Sequence, residues 1–292
     1  MSQIERKYCL EVRVAKSAGF CFGVERAVNK VYEQVRTGKK NVYTFGPIIH
    51  NEQVVKDLEE KGIRVLHSKE ELTQLTEGTV IIRSHGVCRE IYDLMEEQGL
   101  EVVDATCPFV RKIHRIVKED SAKGRTIIII GNSSHPEVEG IRGWSSTPAA
   151  VVETPEDVEE LDFLPDTSVT IVSQTTFNNK KFQDIVEKIL EKRYDSIVVN
   201  TICNATSERQ TEAKAIASDV EAMIVIGGKH SSNTQKLYEI CKKECKNTYY
   251  IQTLEDLAVQ DFQAVRTVGI TAGASTPKNI IEEVQANVRV KF

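Results

Sequence analysis

Residues 100–135, LEVVDATCPFVRKIHRIVKEDSAKGRTIIIIGNSSH, decide the fold class. The apolar stretch at the start closes on Cys107, and Val110, Ile113, Ile116 and Val117 then recur at helical spacing. After that helix the all-apolar run Ile127 to Ile130 leads into a polar loop carrying His135. Strand, cysteine, helix, strand and histidine loop form an α/β unit. Four consecutive isoleucines predict a central strand of a parallel sheet, buried on both faces.

The same order occurs twice more. LEVRVAKSAGFC closes on Cys21, SIVVNTIC closes on Cys203, and each precedes a helix-like stretch. After Cys21 the helix is marked by Val24, Val28, Val31 and Val35; after Cys203 the pattern is weaker, with Thr206 or Ser207 as an expected cap. The next strands end in NVYTFGPIIHN and AMIVIGGKHSSN, so that Cys21 to His50 spans 29 residues, Cys107 to His135 spans 28 and Cys203 to His230 spans 27. With only six histidines in the chain, three such coincidences indicate a true repeat. Further strands follow at IRVL, AAVVET and NTYYIQT, and then at TVIIRSHGV, SVTIVSQTTF and TVGITAGAST, with polar tips at His85, at Thr175 with Thr176, and at Ser275. A last helix in each copy, such as CREIYDLMEEQG or KKFQDIVEKILEKR, leads into the strand that carries the next cysteine.

The expected architecture is therefore three similar small parallel-sheet α/β units, 10–99, 100–195 and 196–285, with residues 286–292 as a C-terminal tail packing back. Ligands bind at the carboxyl ends of parallel strands, where every cysteine and polar tip named above falls. An approximate three-fold axis would bring those ends to one central cleft.

Bulk composition excludes several classes. The 292 residues contain 40% hydrophobic and 28% charged residues, ordinary for a globular chain, and the formal charge of -5 with no basic tract argues against nucleic acid. MSQIERKYCL has no apolar signal core and no window is long and apolar enough to span a membrane, so a cytoplasmic location is expected. In that reducing setting the seven cysteines read as core residues, metal ligands or reactive thiols rather than disulfides.

A thiolate at a helix N-terminus is stabilised by unpaired N–H groups, which makes Cys21, Cys107 and Cys203 candidate metal ligands. Structural zinc takes four protein ligands and catalytic zinc usually includes imidazole, whereas a four-iron cluster with one non-protein position suits three thiolates. Alternatives are a non-catalytic iron-sulfur electron carrier or redox sensor, a zinc hydrolase, and a cofactor-free racemase using paired cysteines.

The ordered set GFCFGVERAV, His50 with Asn51, RSHGV, DATCP, GNSSHPEVEG, SQTT, SSNT and AGAST, spanning about residues 13–285, resembles the 4-hydroxy-3-methylbut-2-enyl diphosphate reductase (LytB) family. That resemblance implies a [4Fe-4S] cluster with one non-cysteine-ligated iron, held by Cys21, Cys107 and Cys203. The implied reaction removes the hydroxyl of a small allylic diphosphate, using two electrons and two protons, to give isopentenyl and dimethylallyl diphosphates in the last step of the non-mevalonate isoprenoid route. It implies reduced ferredoxin or flavodoxin as electron donor; a monomer is expected.

By motif, Glu137 resembles the acid that protonates the departing hydroxyl, with a raised pKa, and His135 and Thr176 join it in catalysis. His50, His85, His135, Ser231, Asn233 and Ser275 resemble the diphosphate ligands, cationic histidine contributing most, while Thr175, Thr206 and Ser232 are expected to line the same pocket. His230 is left outside the site, Cys9, Cys88, Cys241 and Cys245 are not family ligands, His67 and His114 read as peripheral, and Trp144 reads as packing.

Overall fold

The computed structural model describes residues 10–257 and 265–291. Two compact units are present: Phe22–Cys203, and the described residues up to Cys21 together with those from Asn204 onward.

The larger unit contains two four-stranded parallel sheets. The first orders its strands β3-β2-β4-β5, from β2 (Val42–Phe45), β3 (Arg64–Leu66), β4 (Thr79–Ile82) and β5 (Glu101–Asp104). The second orders them β7-β6-β8-β9, from β6 (Thr126–Ile130), β7 (Ala149–Val152), β8 (Ser168–Ser173) and β9 (Asp195–Val198). The smaller unit has the same pattern, β11-β10-β12-β1, from β10 (Ala222–Ile226), β11 (Thr248–Ile251), β12 (Thr267–Ala272) and β1 (Glu11–Val14). The last sheet is thus completed by the first strand of the chain.

The isoleucine run behaves as its composition requires. Ile128 sits between Ala150 and Ile171 in the sheet, and Ile127 to Ile130 are wholly buried. Ile128 and Ile130 pack toward Phe182, Ile185 and Ile189 of α7 (Asn179–Glu191). Ile127 and Ile129 pack toward Ile113 and Val117 of α5 (Pro108–Ala122) and Val138 and Ile141 of α6 (Pro136–Arg142). Each such isoleucine contributes roughly 1.5–3 kcal/mol.

Each cysteine immediately precedes a helix: Cys21 precedes α1 (Phe22–Arg36), Cys107 precedes α5, and Cys203 precedes α8 (Asn204–Ala217). Thr206 lies in the first turn of α8 and Ser207 beyond it, so neither is the expected cap. Each histidine loop leads into a further helix, α2 (Glu52–Glu60), α6 or α9 (Ser232–Glu244), which the apolar periodicity does not reveal. A short helical turn then follows the next strand in each copy: α3 (Lys69–Thr73), and 3₁₀ turns at Asp157–Glu160 and Leu254–Asp256.

Sheet membership departs from the expected spans in one respect. The strands leading to Cys107 and Cys203 belong to the sheet before them, because α4 (Arg89–Glu97) and α7 return the chain to lay β5 beside β4 and β9 beside β8, and the strand leading to Cys21 joins the last sheet. The expected tail is not separate either. Residues up to Lys291 continue α10 (Lys278–Lys291), whose Val284 and Val288 are buried with Ile224 and Ile270. Among the described residues no helix is long and apolar enough to cross a membrane.

Candidate active site

The repeat is exact in its backbone at the cysteines. Cys107 N–H donates to Ser84 O at 2.9 Å, Cys203 N–H to Thr175 O at 3.0 Å and Cys21 N–H to Ala274 O at 3.4 Å. Ser84, Thr175 and Ala274 each lie two residues past the end of β4, β8 or β12, so the residues after them, His85, Thr176 and Ser275, are structural counterparts. Cys21, Cys107 and Cys203 are all partly exposed thiols. The loops before Cys107 and Cys203 also share a turn, with Asp104 Oδ1 accepting from Thr106 N–H at 2.8 Å and Asn200 Oδ1 from Ile202 N–H at 3.0 Å.

In the larger unit the structure gathers three histidines from the ends of β2, β4 and β6. Ring centroids are 4.8 Å apart for His50 and His85, 5.8 Å for His50 and His135, and 5.2 Å for His85 and His135. His135 caps α6, its Nδ1 accepting from Glu137 N–H at 3.1 Å, which leaves Nε2 to carry the proton of the neutral ring. Burial, then His50 and Arg83, lowers the His135 pKa to about 3. Burial, followed by His50, His135 and Arg83, holds His85 well below its ordinary value. Before any anion enters, His85 and His135 are therefore neutral donors rather than the expected cations, because desolvation and mutual repulsion both oppose charge. A bound anion acts in the opposite direction.

Three imidazoles with ligand atoms within 4.8 Å of one another could also hold a metal ion. One feature suits an anion better than a cation. Arg83 supplies a fixed positive charge near His85 and His135. Its own pKa is lowered by burial, with Glu139 the main anion acting to raise it. Gly46 admits this guanidinium: a Cβ there would stand 2.2 Å from Arg83 Nη1.

Glu137 is 1% exposed. Its Oε1 accepts Thr175 N–H at 2.5 Å and its Oε2 accepts the Thr175 hydroxyl at 2.7 Å. Burial raises the carboxyl pKa to about 7, outweighing both bonds to Thr175, which lower it. The group thus holds a proton near neutrality. Beside it Gln174, 1% exposed, donates from Nε2 to Thr176 Oγ1 at 3.1 Å and accepts Asn132 N–H on Oε1 at 3.2 Å.

In the smaller unit Ser231 caps α9, accepting from Thr234 N–H at 3.3 Å and from the Thr234 hydroxyl at 2.9 Å. The Ser275 hydroxyl donates to Ser231 Oγ at 3.4 Å. Thr234 fits because Gly227 and Gly273 have no side chains; a Cβ would lie 2.4 Å or 2.0 Å from its Oγ1. Asn233 is 4% exposed, yet neither amide atom has a hydrogen-bond partner among the described residues. An orphaned buried amide marks a place where a polar ligand belongs. Ser232 begins α9 and is partly buried, and Thr206 is buried in α8.

The cap positions also refine the repeat's register. Asn51, His135 and Ser231 cap α2, α6 and α9, so Ser231, not His230, is the counterpart of His135, and His230 is exposed. Cys241 and Cys245 are buried in the core between α8, α9 and β10, where burial pushes the Cys241 thiol up to about 12. Cys88 is partly buried, His67 is exposed, and Cys9 lies outside the described residues. His114 is not peripheral: it is buried, stacked on Trp144 at 5.4 Å and packed against Gly86 of the His85 loop. Arg83 and Gln174 were not anticipated; both lie inside quoted motifs, and only their burial distinguishes them.

A sequence profile described as LytB protein matches residues 12–289. The chain is 48% identical over 282 residues to a 4-hydroxy-3-methylbut-2-enyl diphosphate reductase of Caldanaerobacter subterraneus, covering 96% of this chain and 97% of that one. It is 44% identical over 275 residues to the protein of that name from Clostridioides difficile, covering 94% and 98%. A solved (E)-4-hydroxy-3-methyl-but-2-enyl diphosphate reductase, the terminal enzyme of the non-mevalonate pathway, is similar with a TM-score of 0.69 at 42% identity over 96% of this chain and 99% of that one. The E-1-hydroxy-2-methyl-but-2-enyl-4-diphosphate reductase of Plasmodium falciparum is similar with a TM-score of 0.90 at 30% identity, over 96% and 87%. With a profile running from the first strand into the last helix and relatives matched over nearly their whole length, the chain belongs to the LytB family.

Proposed function

We propose that this protein is a 4-hydroxy-3-methylbut-2-enyl diphosphate reductase, converting its substrate to isopentenyl and dimethylallyl diphosphates by loss of the hydroxyl as water. Family membership supports the reaction, and one observation carries the chemistry: a buried carboxyl, Glu137, whose pKa of about 7 keeps it protonated near neutrality. An electron carrier or redox sensor has no use for such a group.

The donor set fits an iron-sulfur cluster, since three thiols stand at one repeated position, each with its N–H anchored to the adjacent loop. A [4Fe-4S] cluster on Cys21, Cys107 and Cys203, with one iron lacking a protein ligand, would supply the electrons and a Lewis-acidic position for the hydroxyl. The diphosphate is bound by the ring N–H groups of His50, His85 and His135, by the amide of Asn233, and by Ser231 and Ser275, with Arg83 adding fixed charge. Glu137 delivers one proton to the departing hydroxyl oxygen, a second proton on carbon and two electrons complete either product, and Thr176 orients the hydroxyl. Ser232, Thr175 and Thr206 border the substrate. Reduced ferredoxin or flavodoxin donates the electrons to a monomer in the cytoplasm.

The test is an anaerobic assay of the full chain with the hydroxylated diphosphate and a reducing dye. Brown protein with about equal iron and sulfide and formation of both products is expected. One zinc per chain and no reduction would overturn the proposal in favour of a zinc hydrolase.

A further inference from the structure

Two buried or half-buried arginines perform the same task in different units. Arg209, on the helix that begins after Cys203, is 3% exposed and reaches the loop that ends at Cys21. Its Nε donates to Ser17 O at 2.9 Å, and its Nη2 donates to Ser17 O at 2.5 Å and to Gly19 O at 2.7 Å. One turn further along α8, Glu212 accepts Lys16 N–H at 2.8 Å, Ser17 N–H at 2.9 Å and the Ser17 hydroxyl at 2.5 Å. Arg26, on the helix that begins after Cys21, donates from Nη1 to Thr106 O at 3.0 Å and to Ala105 O at 3.4 Å, in the loop that ends at Cys107.

We infer that Arg209 with Glu212, and Arg26, are positioning residues for the cluster thiolates: the helix launched by one cysteine clamps the peptide groups leading into the next. This rests on the cluster reading above. The bonded carbonyls lie one to four residues before the cysteine, where a small rotation of the peptide swings the thiolate. Charge-assisted bonds to both carbonyls and N–H groups oppose that rotation from both sides.

The pattern also says which loop depends most on its clamp. The loops of Cys107 and Cys203 have their own Asp104 and Asn200 turns, and the latter is further tied by Thr201 Oγ1 to Ser173, donating to its O at 2.6 Å and accepting from its N–H at 2.7 Å. The loop of Cys21 has Ala18 at the corresponding position, which cannot make such a bond. Arg209 and Glu212 are therefore its external substitute, and their loss should affect metal retention more than loss of Arg26.

The test uses full-length protein purified and loaded anaerobically, measuring iron release to a chelator and the electron paramagnetic spectrum of the reduced cluster. Arg209→Met is expected to release iron about 10- to 100-fold faster than wild type, Arg26→Met by less, and Arg209→Lys to be partly rescued. Arg125→Met is the control, because Arg125 also binds backbone carbonyls, Val169 O at 2.6 Å and Asp195 O at 2.7 Å, but at the opposite end of its strands from the cysteines. It should lower the melting temperature without hastening iron release or altering the spectrum. Wild-type release in both Arg209→Met and Arg209→Lys, or release in Arg125→Met as fast as in Arg209→Met, overturns the inference while leaving the cluster reading intact. Wild-type protein that binds no iron overturns the cluster reading itself, and the inference with it.

Discussion

Glu137 and Thr175 are joined twice, the carboxylate taking the Thr175 N–H on one oxygen and the Thr175 hydroxyl on the other. Thr175 O in turn receives the Cys203 N–H, so the proposed proton donor and a proposed cluster ligand are anchored on one residue. Rigid anchoring of this kind holds a general acid in place without an additional ordering step.

Glu137→Gln should keep the brown colour and lose turnover by about 10²- to 10⁴-fold, the usual range for a positioned acid. Cys107→Ser should lose colour and turnover together. Unchanged turnover in Glu137→Gln removes the residue from the mechanism.

Activity that needs Glu137 protonated should decline as pH rises through about 7. The Thr175 hydroxyl lowers this pKa, so Thr175→Val should move the alkaline limb of the kcat profile upward. A limb that stays in place or moves down contradicts the assignment.

The same carboxyl has a stability signature. Its folded pKa, about 7, lies above the ordinary 4.5, so its contribution is fully present below pH 4.5 and is lost as pH rises through about 7. That interval corresponds to on the order of 3 kcal/mol. Relative to wild type, the melting temperature of apo Glu137→Gln should therefore rise from pH 5 to pH 8; calorimetry at the two values checks this, and a constant difference sinks it.

His85 and His135 are neutral in the empty pocket, and a bound polyanion should draw protons onto them. Inorganic pyrophosphate should bind more tightly as pH falls from 8 to 6, with net proton uptake when titrated in two buffers of different ionisation enthalpy. Uptake unchanged in His85→Gln would show that this ring keeps one protonation state throughout.

Gly86→Ala should destabilise by about 1–3 kcal/mol. Gly86 has a φ of +71°, and a Cβ would stand 2.6 Å from His114 Cε1, whose ring is pinned by its stacking on Trp144. Because the next residue back is His85, pyrophosphate affinity should fall as well, and a wild-type melting temperature would contradict the packing argument.

The repeat, the parallel α/β class and the positions of the cysteines and histidines were legible from the chain because each rests on local pattern, apolar runs at strand or helical period broken where a strand meets a polar loop; Glu137 stood out only through the family resemblance. The isoleucines at 127–130 needed no tertiary information, since nothing but a doubly covered strand suits them. Protonation was only half legible: the raised pKa of Glu137 was expected from the resemblance, whereas the neutral state of His135, expected to be cationic, comes from desolvation, a property of the packed volume rather than of any motif. Likewise, only hydrogen bonding shows that β1 completes the last sheet, that Ser231 is the counterpart of His135, and that Arg209 reaches back nearly two hundred residues to the Cys21 loop. Side-chain period records which way a residue faces; what it meets there is settled by chain topology.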